Sequence, residues 1–176
     1  AREAHETTPK RTSPRAPRSK NLNELLRIVD VITPLTSYPE IRQIACDSRK
    51  VKPGAFFFAL RGAKEDGKVF IQDAISRGAV AVAAEESIPA ALAPNIATVQ
   101  ASNARKALAI ASANFYDHPA NALQLVAITG TNGKTTTASL VDAIVKASKS
   151  KTGLFGTIAY ETPAGTYPAP NTTPES

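Results

Sequence analysis

The sequence predicts an α/β protein with mainly parallel sheets, and the pattern of its N-terminal half is the first support for this prediction. Two uninterrupted apolar runs of strand length, residues 55–60 and 79–83, are typical of parallel strands buried on both faces. The segment between them, residues 69–77, has helical periodicity, and Gly78 follows it as a residue that commonly ends a helix. Strand, helix and strand in this order make a βαβ unit, for which we expect a right-handed crossover.

Shorter elements are predicted on both sides of this unit. Residues 21–29 predict a short helix, and residues 96–99 predict another strand. Ser102 is the predicted N-cap of a helix that continues to about Tyr116. Proline and turn-forming residues at 117–121 then separate two periodic segments, so we place a domain boundary there.

The C-terminal part repeats the order of strand and helix around a glycine-rich segment. Residues 123–128 predict a strand, the following helix is predicted to end near Lys146, and residues 152–160 leave room for one further strand. This helix carries an apolar stripe that we predict to be buried, formed by Leu140, Ala143, Ile144 and Ala147.

The positive charge of the chain is concentrated at its start. The net charge is +6 over 176 residues, but six of the 21 basic residues and only two of the 15 acidic ones lie in the first twenty positions. This segment therefore carries +4 and the remainder is nearly neutral, so charge alone does not indicate a nucleic-acid partner. The composition of residues 1–20 predicts a disordered basic tail.

The cysteine content and the hydropathy pattern exclude several further classes of protein. A lone Cys46 excludes a disulfide framework within one chain, and His5 and His118 stand too far from it for a zinc motif. No apolar run approaches the roughly 18 residues of a membrane span, and the start has no signal-peptide core. We expect a cytoplasmic monomer with neither a membrane nor a nucleic-acid partner.

The glycine-rich segment at residues 130–136 is the strongest chemical signal. A phosphate chain needs backbone N–H groups that face it, and the start of a helix adds partial positive charge. In such a loop Lys134 would neutralise the β- and γ-phosphates, and the Thr135 hydroxyl would coordinate Mg²⁺. The loop is shorter than the general pattern, because Ile128 occupies the place of the first glycine. An ordinary glycine-containing turn with a solvated lysine is the alternative.

This loop resembles the ATP loop of the Mur ligases and of the related folylpolyglutamate synthetases. Four upstream motifs are similar to the UDP-binding N-terminal domain of the Mur ligases, which the synthetases lack. These motifs are Asp47-Ser48-Arg49 with Pro53-Gly54, Phe57 with Ala59-Leu60 and Gly62, Asp66-Gly67 with Phe70-Ile71, and Gly78-Ala79 with Ala81-Val82. The resemblance extends from about Leu22 to Ser176.

The resemblance implies a division into three segments. It implies a Rossmann-like domain that binds the UDP substrate at residues 21–118, after the tail at 1–20. Residues 119–176 would be the first part of a P-loop ATPase domain with a mainly parallel sheet. We therefore expect an N-terminal fragment that is inactive on its own.

The activity implied is that of an ATP-dependent, amide-forming ligase of peptidoglycan precursor synthesis. Asp47-Ser48-Arg49 together with Asn132, and the segment 171–175, favour the ligases that add the third amino acid over those that add D-Ala-D-Ala. The substrates would be UDP-MurNAc-L-Ala-D-Glu and an amino acid, meso-diaminopimelate or L-lysine. The D-glutamyl carboxylate would attack the γ-phosphate of ATP, and the amine would displace phosphate from the acyl phosphate.

The resemblance also assigns site residues. ATP would be bound by Gly130, Thr131, Asn132, Gly133, Lys134, Thr135 and Thr136, with Lys134 and Thr135 as the catalytic residues and Thr135 as the Mg²⁺ ligand. The uridine end of the substrate would contact Cys46, Ser48, Ala63, Lys64 and Glu65, and the muramoyl-dipeptide part would contact Asn171, Thr172 and Thr173.

Each assignment has a plainer interpretation. Cys46 is more often a small buried apolar residue than a ligand contact, Asp47-Ser48 favours an ordinary turn, and residues 171–173 fit a polar chain end. Two other functions also stay open: a non-catalytic module that binds UDP-sugars, and another P-loop NTPase.

Overall fold

The structure, a computed structural model, describes residues 19–35, 37–62 and 66–169. These residues form two units that divide after Leu123. We call the described residues up to Leu123 the N-terminal unit and those from Gln124 onward the C-terminal unit. The predicted α/β class is confirmed, since the N-terminal unit is built on four parallel strands with helices packed on them.

The N-terminal unit contains six strands and three α-helices among its described residues. In chain order they are β1 (Lys20–Asn21), α1 (Leu22–Leu25), β2 (Glu40–Ile41), β3 (Gln43–Ala45), β4 (Ala55–Phe58), α2 (Ile71–Ser76), β5 (Ala79–Ala84), β6 (Ala97–Gln100) and α3 (Ala104–Phe115). Turns of 3-10 helix occur at Ser48–Lys50, Gly67–Phe70 and Pro119–Ala122.

The central sheet has the order β3-β4-β5-β6, and all of its pairs are parallel. Strands β4 and β5 lie at the two apolar runs, so both predicted strands are confirmed. Successive side chains of a strand point to opposite faces, so Phe56 and Phe58 enter one core with α1 and α3, and Phe57 enters a second core with α2. All three phenylalanines are at most 1% exposed, so the sheet is buried on both sides.

Three boundaries of helices and strands in this unit differ from the predicted ones. In each case the observed local structure determines where the element begins or ends. Asn103, not Ser102, caps α3, because its side chain accepts a hydrogen bond from the Lys106 N–H at 2.8 Å. The first helix ends at Leu25, well before residue 29, and the chain turns through a left-handed Ile28. Lys20, placed in the predicted tail, belongs to β1 and pairs with Ile41.

The C-terminal unit consists of α4 (Lys134–Ala147), β7 (Leu154–Phe155), β8 (Ala159–Thr162) and β9 (Gly165–Pro168). Its three strands form an antiparallel sheet in sequential order. The predicted strand at 123–128 is wrong for the described residues, where this segment is irregular and Leu125 and Val126 are exposed. A parallel strand needs a partner brought alongside by a long crossover, and the strands of this unit pair locally instead.

The predicted buried stripe of α4 is also wrong. Leu140 and Ile144 are 60% and 70% exposed, and Ala143 and Ala147 are exposed as well. The less exposed side of α4 is the adjacent one, formed by Ala138, Val141, Asp142 and Val145, and the helix packs against β7. At 14 residues α4 is the longest described helix, and the described residues contain no candidate for a transmembrane helix.

Candidate functional site

The carboxyl ends of β3 to β6 meet at one edge of the central sheet, because the four strands are parallel. We call this the carboxyl edge. Open α/β sheets bind ligands outside this edge. Strands β3 and β4 are neighbours in the sheet, with Ala45 opposite Phe57, so the turn that follows β3 lies beside the loop that follows β4. The fold thereby brings the segment of Cys46 and Ser48 close to the residues that directly follow β4.

The turn after β3 is stabilised by Asp47. Its carboxylate accepts a hydrogen bond from the Arg49 backbone N–H at 3.1 Å and two from the Arg49 guanidinium, each at 2.9 Å. These bonds, with the guanidinium bonds as the largest contribution, hold the pKa of Asp47 below its usual value. A carboxylate that accepts bidentate donors is restricted in orientation, so Asp47 is a structural part of this turn.

Ser48 is buried within the same turn, with 6% of its surface exposed. The turn packs against α2, and the Asp73 carboxylate of that helix accepts a hydrogen bond from Arg77, with Nε 2.9 Å from Oδ1. Hydrogen bonding by Ser48, and then by Arg77, lowers the pKa of Asp73. The packing of α2 against the turn is a feature that sequence reasoning missed, because Ser48 and Asp73 are 25 positions apart.

These two depressed pKa values predict how stability depends on pH. Asp47 and Asp73 are stabilised as carboxylates only in the folded state, so this contribution is present above the unfolded pKa of about 3.9 and is lost as the pH falls through the folded pKa. We expect the Tm to fall below about pH 4, and to fall less in Asp73→Ala. Thermal unfolding followed by circular dichroism checks this, and parallel curves for the two proteins would contradict it.

Cys46 lies at the entrance to this turn and is exposed. The interpretation of Cys46 as a small buried apolar residue is therefore wrong. The reason is its place just beyond the end of β3, where the alternation of buried and exposed strand positions no longer applies.

The loop after β4 is closed at its base. Arg61 and Asp66 form a backbone bridge, and Gly67 packs against the main chain of Leu60. A Cβ on Gly67 would lie 2.4 Å from the Leu60 carbonyl oxygen, so only glycine fits there. Ala63, Lys64 and Glu65 lie outside the described residues.

A shallow cleft opens at the carboxyl ends of β4 and β5. It is lined by Ala59, Arg61, Asp66, Lys68, Glu85 and Glu86. Its charges largely satisfy one another: Lys68 pairs with Glu86, and Glu85 accepts a hydrogen bond from the Ala104 N–H at 3.1 Å. With the Asn103 cap, this bond closes the N-terminus of α3 to an external anion.

The glycine-rich segment leaves the N-terminus of α4 without a capping side chain, in contrast to the capped N-terminus of α3. The N-cap is Gly133, in a left-handed conformation with φ +75°, and it provides no side-chain hydrogen bond. The first turn of α4 contains no acidic residue. Gly130, with φ +146°, occupies a conformation that side chains disfavour. The first N–H groups of α4 are thus available to an anion, which fits a phosphate site.

Lys134 lies across this loop. Its ammonium group donates to the Gly130 carbonyl oxygen at 2.6 Å, and residues 130–136 are all exposed. An ammonium, a Thr135 hydroxyl and the open helix N–H groups form a donor set that matches the oxygens of a polyphosphate and one hydroxyl ligand of Mg²⁺. The residues present therefore fit ATP with Mg²⁺. Asn171, Thr172 and Thr173 lie outside the described residues.

Comparison with known proteins relates successive parts of the chain to one family. A model described as the Mur ligase family catalytic domain matches residues 40–116, and one described as the Mur ligase middle domain matches residues 128–176. The UDP-N-acetylmuramoyl-L-alanyl-D-glutamate--2,6-diaminopimelate ligase of Solibacter usitatus is 45% identical over 161 residues, which are 89% of this chain and 32% of that protein. The ligase of the same name from Listeria monocytogenes is 41% identical over 156 residues, 88% of this chain and 31% of that protein.

Solved structures share the fold of this chain. A structure of UDP-N-acetylmuramoyl-L-alanyl-D-glutamate--2,6-diaminopimelate ligase matches with a TM-score of 0.66 at 24% identity, over 89% of this chain and 31% of that one, and supports the fold alone. MurF from Acinetobacter baumannii matches with a TM-score of 0.54 at 26% identity, over 74% of this chain and 28% of that one. The chain spans about a third of the length of the curated relatives it matches. Because two models of one family match successive parts of it, this chain belongs to the Mur ligase family.

Proposed function

We propose that this chain is the substrate-binding and phosphate-loop part of an ATP-dependent ligase of peptidoglycan precursor synthesis. Residues 21–118 would bind UDP-MurNAc-L-Ala-D-Glu, and residues 119–176 would begin the ATP-binding domain. The amino acid added would be 2,6-diaminopimelate, the one in the names of relatives that are 41–45% identical. We further propose that the protein acts as a monomer in the cytoplasm.

One observation carries the proposal: the open N-terminus of α4, with Lys134 across it. Two described helices are long enough for their N-termini to bind an anion, and α3 is capped by Asn103 and Glu85. In α4 a glycine replaces the capping side chain, and Lys134 adds a full positive charge. Glycine in place of a capping side chain costs only about a few tenths of a kcal/mol, so α4 keeps its first N–H groups free for a ligand with little loss of stability.

In this proposal the residues of the loop bind and orient a triphosphate. The Lys134 ammonium would exchange the Gly130 carbonyl for phosphate oxygens and neutralise their charge, and the Thr135 hydroxyl would hold Mg²⁺. When bound, ATP supplies the phosphoryl group that turns the D-glutamyl carboxylate into an acyl donor with a good leaving group. The chain's own contribution is positioning and charge neutralisation, which are the main requirements of phosphoryl transfer.

The test is binding of UDP-MurNAc-L-Ala-D-Glu to the 176-residue chain, measured by titration calorimetry and mapped by hydrogen exchange. We expect saturable binding that UDP displaces and GDP does not. Exchange is expected to slow in the segments 44–50 and 59–67 at the carboxyl edge. Addition of ATP with Mg²⁺ is expected to slow exchange separately in residues 129–137.

Two results would contradict the proposal. If the nucleotide substrate does not bind, or if GDP displaces it as well as UDP does, the carboxyl edge is not a uridine site. If simple nucleoside triphosphates alone protect the chain, the alternative of another P-loop NTPase replaces the ligase.

A further inference from the structure

The connection between the parallel strands β3 and β4 is short, since it consists of residues 46–54. A parallel pair usually needs a crossover of about a dozen residues or more, commonly with a helix. Here the chain makes the 3-10 turn of Ser48 and then returns directly to the start of β4. The return segment, residues 50–52, belongs to no strand, so its backbone groups need hydrogen-bond partners from elsewhere.

The side chain of Gln43 supplies two of these partners. Its Nε2 donates to the Lys50 carbonyl oxygen at 3.0 Å, and its Oε1 accepts a bond from the Lys52 N–H at 2.9 Å. The two backbone groups flank Val51, as do the groups that a residue in a parallel strand bonds on its neighbour. The carboxamide of Gln43 thus takes the place of a strand and holds Val51, whose side chain is 7% exposed in the second core.

These bonds fix the far end of the Ser48 turn. Val51 directly follows the turn, and its N–H donates to the Ser48 carbonyl oxygen at 3.2 Å. The near end is held by Asp47, which accepts the Arg49 guanidinium at 2.9 Å. Asp47 and Arg49 belong to the turn itself, whereas Gln43 is the first residue of β3. Gln43 is therefore an anchor that reaches the turn from outside it.

We infer that Gln43 is a positioning residue of the carboxyl edge, which holds the return segment so that the Ser48 turn keeps the conformation that receives the uridine nucleotide. The inference rests on the proposed function, which places the uridine against Cys46 and Ser48. Gln43 begins β3 and the site lies beyond its other end, so Gln43 acts through the turn. Loss of its carboxamide loosens the return segment, and binding must then order that segment at a cost in affinity.

The experiment replaces Gln43 by methionine, which keeps the length of the side chain and removes both hydrogen bonds. We expect UDP to bind the variant of the 176-residue chain about tenfold more weakly than wild type, the value of one or two net hydrogen bonds. Affinity is measured by calorimetry at a temperature where both proteins are folded. Gln43→Asn, whose amide is one methylene too short to reach both groups, serves if Gln43→Met does not fold.

Amide exchange followed by NMR gives a signature specific to the return segment. Without ligand, the Lys52 N–H is expected to exchange faster in Gln43→Met than in wild type, because its acceptor is gone. Saturation with UDP orders the segment, so UDP is expected to slow this exchange more in the variant than in wild type.

Gln72→Met is the matched control. Gln72 lies on α2, and its side-chain amide also donates to a backbone carbonyl, that of Leu92, outside the turn. We expect its replacement to leave UDP affinity within about twofold of wild type. A merely structural Gln43 would lower the Tm as Gln72 does and leave UDP affinity unchanged.

Three results would overturn the inference: equal UDP affinity in Gln43→Met and wild type, unchanged exchange of the Lys52 N–H, or an equal loss of UDP affinity in Gln72→Met. If UDP binds wild type and Gln43→Met equally, the inference alone fails. If UDP does not bind wild type, the proposed function fails and the inference falls with it.

Discussion

Replacement of Lys134 by alanine is expected to weaken the binding of ATP with Mg²⁺ by about 10- to 100-fold, the value of one or two charge-assisted hydrogen bonds. The Lys134 ammonium donates to the Gly130 carbonyl oxygen at 2.6 Å, at the mouth of a loop whose helix has no capping side chain. Removal of the ammonium leaves the helix N–H groups as the main source of positive potential there. Calorimetric titration of both proteins with ATP, ADP and AMP measures the effect.

The nucleotide series separates the role of Lys134 from a general loss of fold. A lysine that contacts the β- and γ-phosphates affects ATP most and AMP least, so the loss should decrease along that series. Lys151→Ala is the matched control, since Lys151 is an exposed lysine of the same unit, outside the loop. The assignment of Lys134 is contradicted if its removal weakens ATP and AMP equally, or if Lys151→Ala has the same effect.

Phe57→Ala is expected to lower the free energy of unfolding by about 3–5 kcal/mol. Phe57 is 1% exposed, and it packs with Ala45 and Val82 from the neighbouring strands and with Ile71 and Ala74 from α2. Its truncation leaves a cavity in the core that lies under the turn of Ser48, because that core also contains Val51. Urea denaturation followed by far-ultraviolet circular dichroism measures the change, since the chain has no tryptophan to report it.

Phe70→Ala provides a control of the same chemistry. Phe70 ends the 3-10 turn before α2 and is 39% exposed, so its truncation is expected to cost about 1 kcal/mol. Equal losses in the two variants would mean that the sheet is not the stabilising core of the N-terminal unit. A clearly larger loss in Phe57→Ala than in Phe70→Ala, together with weaker UDP binding in Phe57→Ala alone, would show that the second core supports the carboxyl edge.

The elements that the sequence predicts correctly are those whose structure depends only on a short segment of the chain. The run at 55–60 is apolar at every position, so β4 had to be buried on both faces whatever its neighbours were. Glycines at 130 and 133 before Lys134 indicate an anion loop because positive φ values and an uncapped helix start follow from these residue types in this order. The family resemblance identified the same segment, and the family models now match on both sides of residue 120.

Other features needed the neighbours that folding supplies. The less exposed side of α4 is formed by Ala138, Val141, Asp142 and Val145, although the adjacent side with Leu140 and Ile144 has the more apolar pattern. The run at 123–128 has the composition of a strand and is irregular in the C-terminal unit, because a strand exists only where another strand accepts its hydrogen bonds. Periodicity therefore predicted the strands of the central sheet correctly, whereas it could not tell which apolar segment of the C-terminal unit would find a pairing partner.

The candidate sites also combine features that the sequence predicts with features that only the tertiary structure decides. Residue types alone predicted a phosphate loop, a buried parallel sheet and an Asp-Ser-Arg turn, because backbone conformation and apolar burial are properties of short segments. Only the tertiary structure packed α2 against that turn, and only the parallel order of β3 and β4 brought the turn beside the bridge between Arg61 and Asp66. Contacts between residues far apart in sequence depend on how several elements share one core, and no single segment contains that information.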